Sequence, residues 1–318
     1  MKKALWNPFF VFVQIIFVGS LMVTGAPIPV GDVFSLENPS SGSKQPYLVT
    51  FSGQVLDVAA NAPIPNVTLT IAGTNQRVVT DRAGNFKFYL PPLGQQIIFL
   101  DARTTTLPGN WPIFPIPFTI KQGTNTFPAP IWLPQLDTAN GTALTAANYN
   151  PTTGQVLQTI ILTTPNARGV KITIPQGTYM KNSWTTTPQM PTGLKLGDIL
   201  SITSMPPTKP PMPLPNNAVV GMLVMAQPGG VTFTNANGNM VKVPMEFHNV
   251  QNEFTNGSKV QLYSALGGKS GAMVIGGSMT VQGGMILPYA GTGISHFSSK
   301  WTPPSPPIAS TKTANNPQ

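Results

Sequence analysis

Apolar and polar positions alternate along most of this chain in short runs, each closed by glycine, proline or asparagine. Residues 47–57 (YLVTFSGQVLD), 67–73 (VTLTIAG), 76–80, 85–90 (NFKFYL) and 95–101 (QQIIFLD) alternate or concentrate β-branched and aromatic residues. A repeat of two sends successive side chains to opposite faces of an extended backbone, so these runs predict strands. The segments between them, Asn-Ala-Pro-Ile-Pro, Gly-Thr-Asn and Asp-Arg-Ala-Gly-Asn, are built from turn formers. In the last turn, Asp81 and Asn85 are placed to hold backbone amides and Gly84 to adopt a positive φ, while Phe86 and Phe88 share one strand face. Residues 111–137 also alternate, but with proline at many intervening positions. Proline has no amide to donate and so confines a strand to an edge. This segment is expected to finish the first sandwich or to lie along a second unit.

A second set of strands is predicted over 156–164, 169–175, 197–203, 218–226, 230–234, 240–244, 258–266, 271–275 and 278–287. Many short strands at near-regular spacing predict sandwiches. The expected fold is all-β, with two β-sandwich-like domains behind an N-terminal hydrophobic signal or anchor helix. The expected boundaries are 1–26 for that helix, 27–46 for a linker and 47–137 for the first sandwich. A polar linker at 138–151, a second all-β domain at 152–301 and a Pro-rich tail at 302–318 follow.

The N terminus breaks the alternation. Met1-Lys2-Lys3 is followed by a run from Phe9 to Val23 that is apolar apart from Gln14, Gly19 and Ser20. Leu5 and Trp6 extend the run, and Trp6, Phe9, Phe10, Phe12, Ile15, Ile16 and Phe17 are the expected membrane-anchor residues. The run is at the upper limit of a signal core and short of the ~20 residues of a comfortable span. Cleavage after Ala26 is disfavoured by Pro27 directly behind the scissile bond, and cleavage after Gly25, with Val23 at the third position back, is acceptable, so both sites are mediocre. A retained anchor in membrane lipid is therefore expected, with the N terminus cytoplasmic and the rest periplasmic or at the cell surface.

Composition narrows the function classes. Charged residues make up only 8% of the chain, against about 25% in ordinary soluble domains, so hydroxyl and amide side chains must supply most of the solvated surface. Thirty-five prolines and thirty glycines argue against long helices. The absence of cysteine removes disulfides, thiolate metal sites and a cysteine nucleophile. The formal charge of +9 falls by two, to +7, without Lys2 and Lys3. The basic residues stand singly, with no cluster to track phosphates, which argues against nucleic acid. A diffuse positive surface suits anionic headgroups or an acidic polysaccharide.

The stretch SGQVLDVAANAPIPNVTLTIAGTNQRVVTDRAGNFKFYLPP resembles the carboxypeptidase regulatory-like domain, a transthyretin- or Cna-B-type β-sandwich. The similarity rests on Gly53, Val55 and Asp57, then Pro63, Val67 and Leu69, then Gly73-Thr74, Thr80-Asp81, Gly84-Asn85-Phe86 and Leu90 to Pro92. It extends over about residues 48–135 and implies a non-catalytic sandwich in a bacterial surface-type protein. The second half, with Val170 to Thr178, Pro206 to Pro215, Gln227 to Phe233 and Gly267 to Gly293, resembles a segment that accompanies such domains. That likeness carries no chemistry.

No catalytic residue and no cofactor is expected. A hydrolase needs an activated nucleophile with a base, or paired carboxylates, and the chain offers nine acids and two histidines. His248 with Glu246 and Glu253 is the one combination with metal-ligand chemistry, and a solvated strand face explains it better. Gly268-Lys269-Ser270 imitates a phosphate loop, but position 263, where the motif needs glycine, is Tyr. A glycine-punctuated hairpin is expected there. Asp57, Asp81 and Asp101 are expected to bond turn amides rather than calcium. The Cna-B likeness raises a Lys–Asn crosslink such as Lys87–Asn85, a pair too close in sequence to judge, and the absence of a lysine from the first strand, 48–57, argues against one. Trp111, Trp132 and Trp184 are candidate sugar-stacking aromatics, with core packing as the stronger reading.

The function expected is that of an extracytoplasmic structural or binding protein acting through protein partners. An accessory subunit of a larger membrane complex is one alternative, and a carbohydrate-binding module or secreted hydrolase is the other.

Overall fold

The structure, a computed structural model, describes residues 48–164, 169–182, 194–212, 222–249, 254–265, 273–297 and 299–302. All of them belong to one unit, Pro46–Gln318. The expected anchor residues, the 27–46 linker, Trp184, Glu253, Gly268-Lys269-Ser270 and the tail beyond Thr302 lie outside the described residues. Among the described residues the fold is all-β, with one short 3-10 turn at Ala102–Thr104. No helix there is long and apolar enough to cross a membrane.

The first half contributes β1 (Thr50–Asp57), β2 (Thr68–Ile71), β3 (Arg77–Val79), β4 (Asn85–Tyr89), β5 (Gly94–Asp101), β6 (Ile113–Ile120), β7 (Thr124–Thr126) and β8 (Ile131–Leu133). One sheet is centred on β1, which pairs antiparallel with β4 and parallel with β7 and then β8. The other has the order β3-β2-β5-β6, antiparallel throughout. Phe51, Val55, Phe86 and Phe88 from the first sheet meet Leu69, Ile71, Leu100 and Ile116 from the second in one core. The ring of Phe51 lies 4.5 Å from that of Phe118 and 5.6 Å from that of Phe86, within the range where aromatic pairs attract.

The expected turn chemistry is present at Asp81 and Gly84, whereas the Asn85 side chain donates to the Asp81 carboxylate and holds no backbone amide among the described residues. Asp81 Oδ1 accepts hydrogen bonds from the amides of Ala83 and Asn85 at 2.9 and 2.8 Å. Gly84 has φ +72, and a Cβ there would stand 2.4 Å from the carbonyl oxygen of Val55. The proline-rich segment forms β6 at a sheet edge.

The second half contributes β9 (Thr142–Ala143), β10 (Tyr149–Asn150), β11 (Gln155–Val156), β12 (Ile160–Thr164), β13 (Val170–Ile174), β14 (Tyr179–Asn182) and β15 (Ile199–Met205). Next come β16 (Met222–Gln227), β17 (Val231–Thr234), β18 (Met245–His248), β19 (Lys259–Ala265), β20 (Met273–Gln282), β21 (Met285–Pro288) and β22 (Ser299–Thr302). One sheet runs β12-β13-β18-β21-β20-β19-β22-β16-β15-β9. It curls until its ends meet: β12 lies against β15, and Thr142 Oγ1 donates to the Ile161 carbonyl at 3.2 Å. Leu162, Ile172, Phe247, Val281, Leu262 and Val224 converge from six of its strands on a single core. The sheet β10-β11-β14-β17 adds Tyr149, Val156, Met180 and Phe233 to the same core.

Two expected strands are corrected. The run 278–287 is a hairpin of β20 and β21, because Gly283 and Gly284 both have positive φ, the backbone of a tight two-residue hairpin turn. Residues 240–244 make isolated bridges at Met240 and Val243, and the strand begins instead at Met245, just beyond Pro244.

The two cores share a wall. All six residues of β16 are buried. Met222, Val224 and Ala226 face the larger core, while Leu223 and Met225, with Met205 of β15, join the first sandwich. Polar contacts tie the same seam. The amide of Asp137 donates to Thr203 Oγ1 at 2.9 Å, and Gln227 Oε1 accepts from the amides of Gly229 and Ile113. Lys209 Nζ donates to the carbonyl of Val58 at 2.6 Å and sits 4.9 Å above the ring of Trp132.

A shared wall predicts shared melting. Met225→Ala should cost about 2–5 kcal/mol by removing buried side-chain volume, and unfolding followed by tryptophan fluorescence and by circular dichroism should give coincident curves before and after the substitution. Two separated transitions would show that the halves are energetically independent.

Candidate functional site

A cleft of about 900 Å³ opens on the outer face of the sheet centred on β1. The strand repeat builds it. Phe51, Val55, Phe86 and Phe88 take the inner face, so Ser52, Gln54, Asn85 and Lys87 must point out. Cross-strand register lines these up: Ser52 lies between Lys87 on β4 and Thr126 on β7, and Gln54 faces Asn85. Neighbours in a row are about 4.8 Å apart and successive rows about 7 Å. Phe127, Pro128, Ala129 and Pro130, in the gap between β7 and β8, form an apolar ledge. Val78 and Val79 of β3 bound the cleft beyond β4.

The turn that starts β4 pre-sets these polar groups. Asp81 Oδ2 accepts from Asn85 Nδ2 at 3.5 Å, and Gln54 Nε2 donates to the Ala83 carbonyl at 2.9 Å. Lys87 Nζ lies 5.1 Å from the ring centroid of Tyr89, a side chain 60% exposed at the end of the strand. Asp81 and Lys87 are the ionisable groups of the cleft lining. The Asp81 carboxylate is engaged by its own turn, so the lining offers hydroxyls, amides and one cation. Such groups can orient a ligand, but they provide neither a paired acid and base nor a nucleophile with its base.

The titratable residues singled out in the sequence are dispersed. Glu246 pairs with Lys171 at 3.1 Å on the register Lys171↔Glu246. His248 is exposed and stands beside Gly169, whereas His296 is buried, its Nδ1 3.2 Å from Ser295 Oγ. Among the described residues no three His, Asp or Glu side chains converge as a metal site would require. Asp57 accepts from the amide of Ala59, and Asp101 caps the 3-10 turn and pairs with Arg103 at 2.7 Å. That hydrogen bond raises the affinity of the Arg103 guanidinium for its proton. Lys87 turns to Tyr89 and not to Asn85. Trp111 is buried in the first core, and Trp132 is half-buried under Lys209.

The cleft went unseen in the sequence because its rows join residues 35 and 74 positions apart in the chain. The signal that could have found it is the polar half of the alternation in 52–54 and 85–87, read as a surface and not as the complement of the core.

Residues 51–101, within the first sandwich, match the family model of the CarboxypepD_reg-like domain. No curated protein sequence matches the chain. Among solved structures, a candidate carbohydrate-binding protein from Bacteroides uniformis is 7% identical, with a TM-score of 0.20 over 80% of this chain and 98% of that one. The Bacillus anthracis TIE protein is 10% identical, with a TM-score of 0.24 over 82% of this chain. The match spans 48% of that protein's own length.

Two measurements follow from the geometry. Asp81→Ala should lower stability by about 1–3 kcal/mol through two lost amide hydrogen bonds, read as a fall in Tm with the rest of the fold intact. Tyr149 is buried, and burial, then the charge of Asp198, raises its phenol above the ordinary value. The stability of the neutral phenol is complete below the unfolded-state pKa of about 10 and is lost as pH rises through the higher folded value. Tyr149→Phe should flatten that alkaline loss, measured by urea unfolding between about pH 8 and about pH 11.

Proposed function

We propose that this chain is a non-catalytic binding protein held at the outer face of a membrane, with the first sandwich as its working surface. The observation that carries the reading is the cleft: pre-set hydroxyl and amide rows beside an apolar ledge, with one cation and no free carboxylate. A lining of that kind favours recognition over bond cleavage, and the regulatory-like domain over residues 51–101 agrees with it. In this reading the apolar run from Phe9 to Val23 is a retained anchor, residues 27–46 are a tether, and a protein partner meets the exposed sandwich.

A second reading places a polysaccharide in the cleft. The rows favour it, because amide and hydroxyl groups match sugar hydroxyls while the Pro128–Pro130 ledge offers an apolar surface to the sugar ring.

Mild solubilisation of membranes tests both. The wild-type protein should migrate with a stoichiometric partner, and Ser52→Arg with Thr126→Arg, which fill the cleft, should release it with Tm unchanged. Retardation of the wild type in gels cast with polygalacturonate or dextran, lost in the same variant, would select the polysaccharide. Migration alone, unretarded in either gel, would overturn the binding reading.

A further inference from the structure

The first sandwich ends its sheets in strands of different kinds. In an antiparallel pair, residues that exchange hydrogen bonds with the neighbour alternate with residues whose N–H and C=O point the other way. For β5 and β6 the phase follows from the Ala102 amide donating to the Pro112 carbonyl. On the register Leu100↔Phe114 and Ile98↔Ile116, the even-numbered residues of β6 bond inward. Pro115 and Pro117 occupy outward positions, so the outer edge of β6 lacks those two donors. Where β6 does meet a neighbour, the amide of Ile113 donates to Gln227 Oε1 at 3.4 Å. β7 and β8 are three residues each and are separated by Pro128 and Pro130. These edges are blunted against pairing.

The edge of β4 is not blunted in this way. The Leu90 amide donates to Val49 and the Val55 amide to Gly84, which sets the bonded pairs at Phe51↔Phe88 and Gly53↔Phe86. Lys87 and Tyr89 therefore turn their N–H and C=O groups away from β1, and β4 is the last strand of its sheet. Both residues are exposed, and no proline interrupts the strand. Beside this edge the cleft is walled by Val78 and Val79. A strand laid along β4 would send alternate side chains inward beside Val78 and outward beside Lys87.

We propose that the β4 edge is a strand-addition site for an extended segment of a partner protein, with an acidic residue opposite Lys87 flanked by apolar residues. The acid is chosen by charge: Lys87, its ammonium over the Tyr89 ring, is the one cation of the cleft lining, and a like-charged strand is repelled. The same lysine disfavours a second copy of this chain, whose own β4 would bring another cation to the seam. This proposal deepens the binding reading above and rests on it.

The probes are blocked pentapeptides offered to the full-length chain, with exchange of the Lys87 and Tyr89 amides followed by mass spectrometry. Thr-Val-Glu-Val-Thr at saturation should slow their exchange by about tenfold or more. The Lys-for-Glu peptide should bind about two- to fivefold more weakly. N-methylation of the Glu amide should abolish the effect, because that group faces Lys87. In Lys87→Glu, an exposed substitution that leaves the core intact, the preference should invert. No slowing with any peptide, or a preference unchanged in Lys87→Glu, would overturn the proposal. Protection that grows with protein concentration without peptide would assign the edge to a second copy and would also overturn it. Loss of partner release in the cleft variant is a separate result, so the binding reading can stand or fall independently.

Discussion

The hairpin of β15 and β16 is the constraint on which the rest of this structure depends. A strand buried on one face needs only every second residue to be apolar, whereas a strand serving two cores needs both sets. Met222 to Ala226 satisfies that demand with five apolar residues in succession. Leu223 and Met225 complete the first sandwich, and Met222, Val224 and Ala226 complete the second core. Neither core closes without this hairpin. Two polar side chains of the wall bond across the seam, Thr203 to Asp137 and Gln227 to Ile113. Lys209 reaches across the same seam to Val58.

Because the wall secures one side of the first sandwich, the sheet centred on β1 is free to present its outer face. The inward phenylalanines are close-packed, so the outward residues carry little of the burden of stability and can be polar. The result is a pre-set surface: the Asp81 turn orients Asn85 and Gln54, and the register sets Ser52 between Lys87 and Thr126. The edges complete the arrangement. Prolines fall on the outward positions of β6, while β4 keeps the outward donors of Lys87 and Tyr89 beside the cleft.

Legibility in the sequence followed contact distance. The strands of the first sandwich and the Asp81–Asn85 turn could be read because alternation and turn chemistry act over a few residues. β9 and β10 lie in a stretch whose polar composition reads as a linker; they form because Thr142 pairs with Leu200 and Asn150 with Gln155. β18 was displaced by a few residues because Pro244 moves the start of pairing to Met245. Alternation persists across Gly283 and Gly284, so the 278–287 run has the pattern of one continuous strand, although the backbone of these glycines reverses the chain. Trp111 and Trp132 stood out by residue type alone, and burial decided their places.

What the amino-acid sequence determined by itself is the all-β character, the regulatory-like first sandwich, the edge position of the proline-rich strand and the lack of a local catalytic motif. These rest on side-chain alternation, on the missing proline donor and on residue chemistry, all of which act locally. Tertiary structure alone decided that two cores share one wall, that the second sheet curls until its ends meet, and that Ser52, Lys87 and Thr126 form one row. Those outcomes depend on register between strands far apart in the chain, where a shift of one residue would turn every side chain to the opposite face.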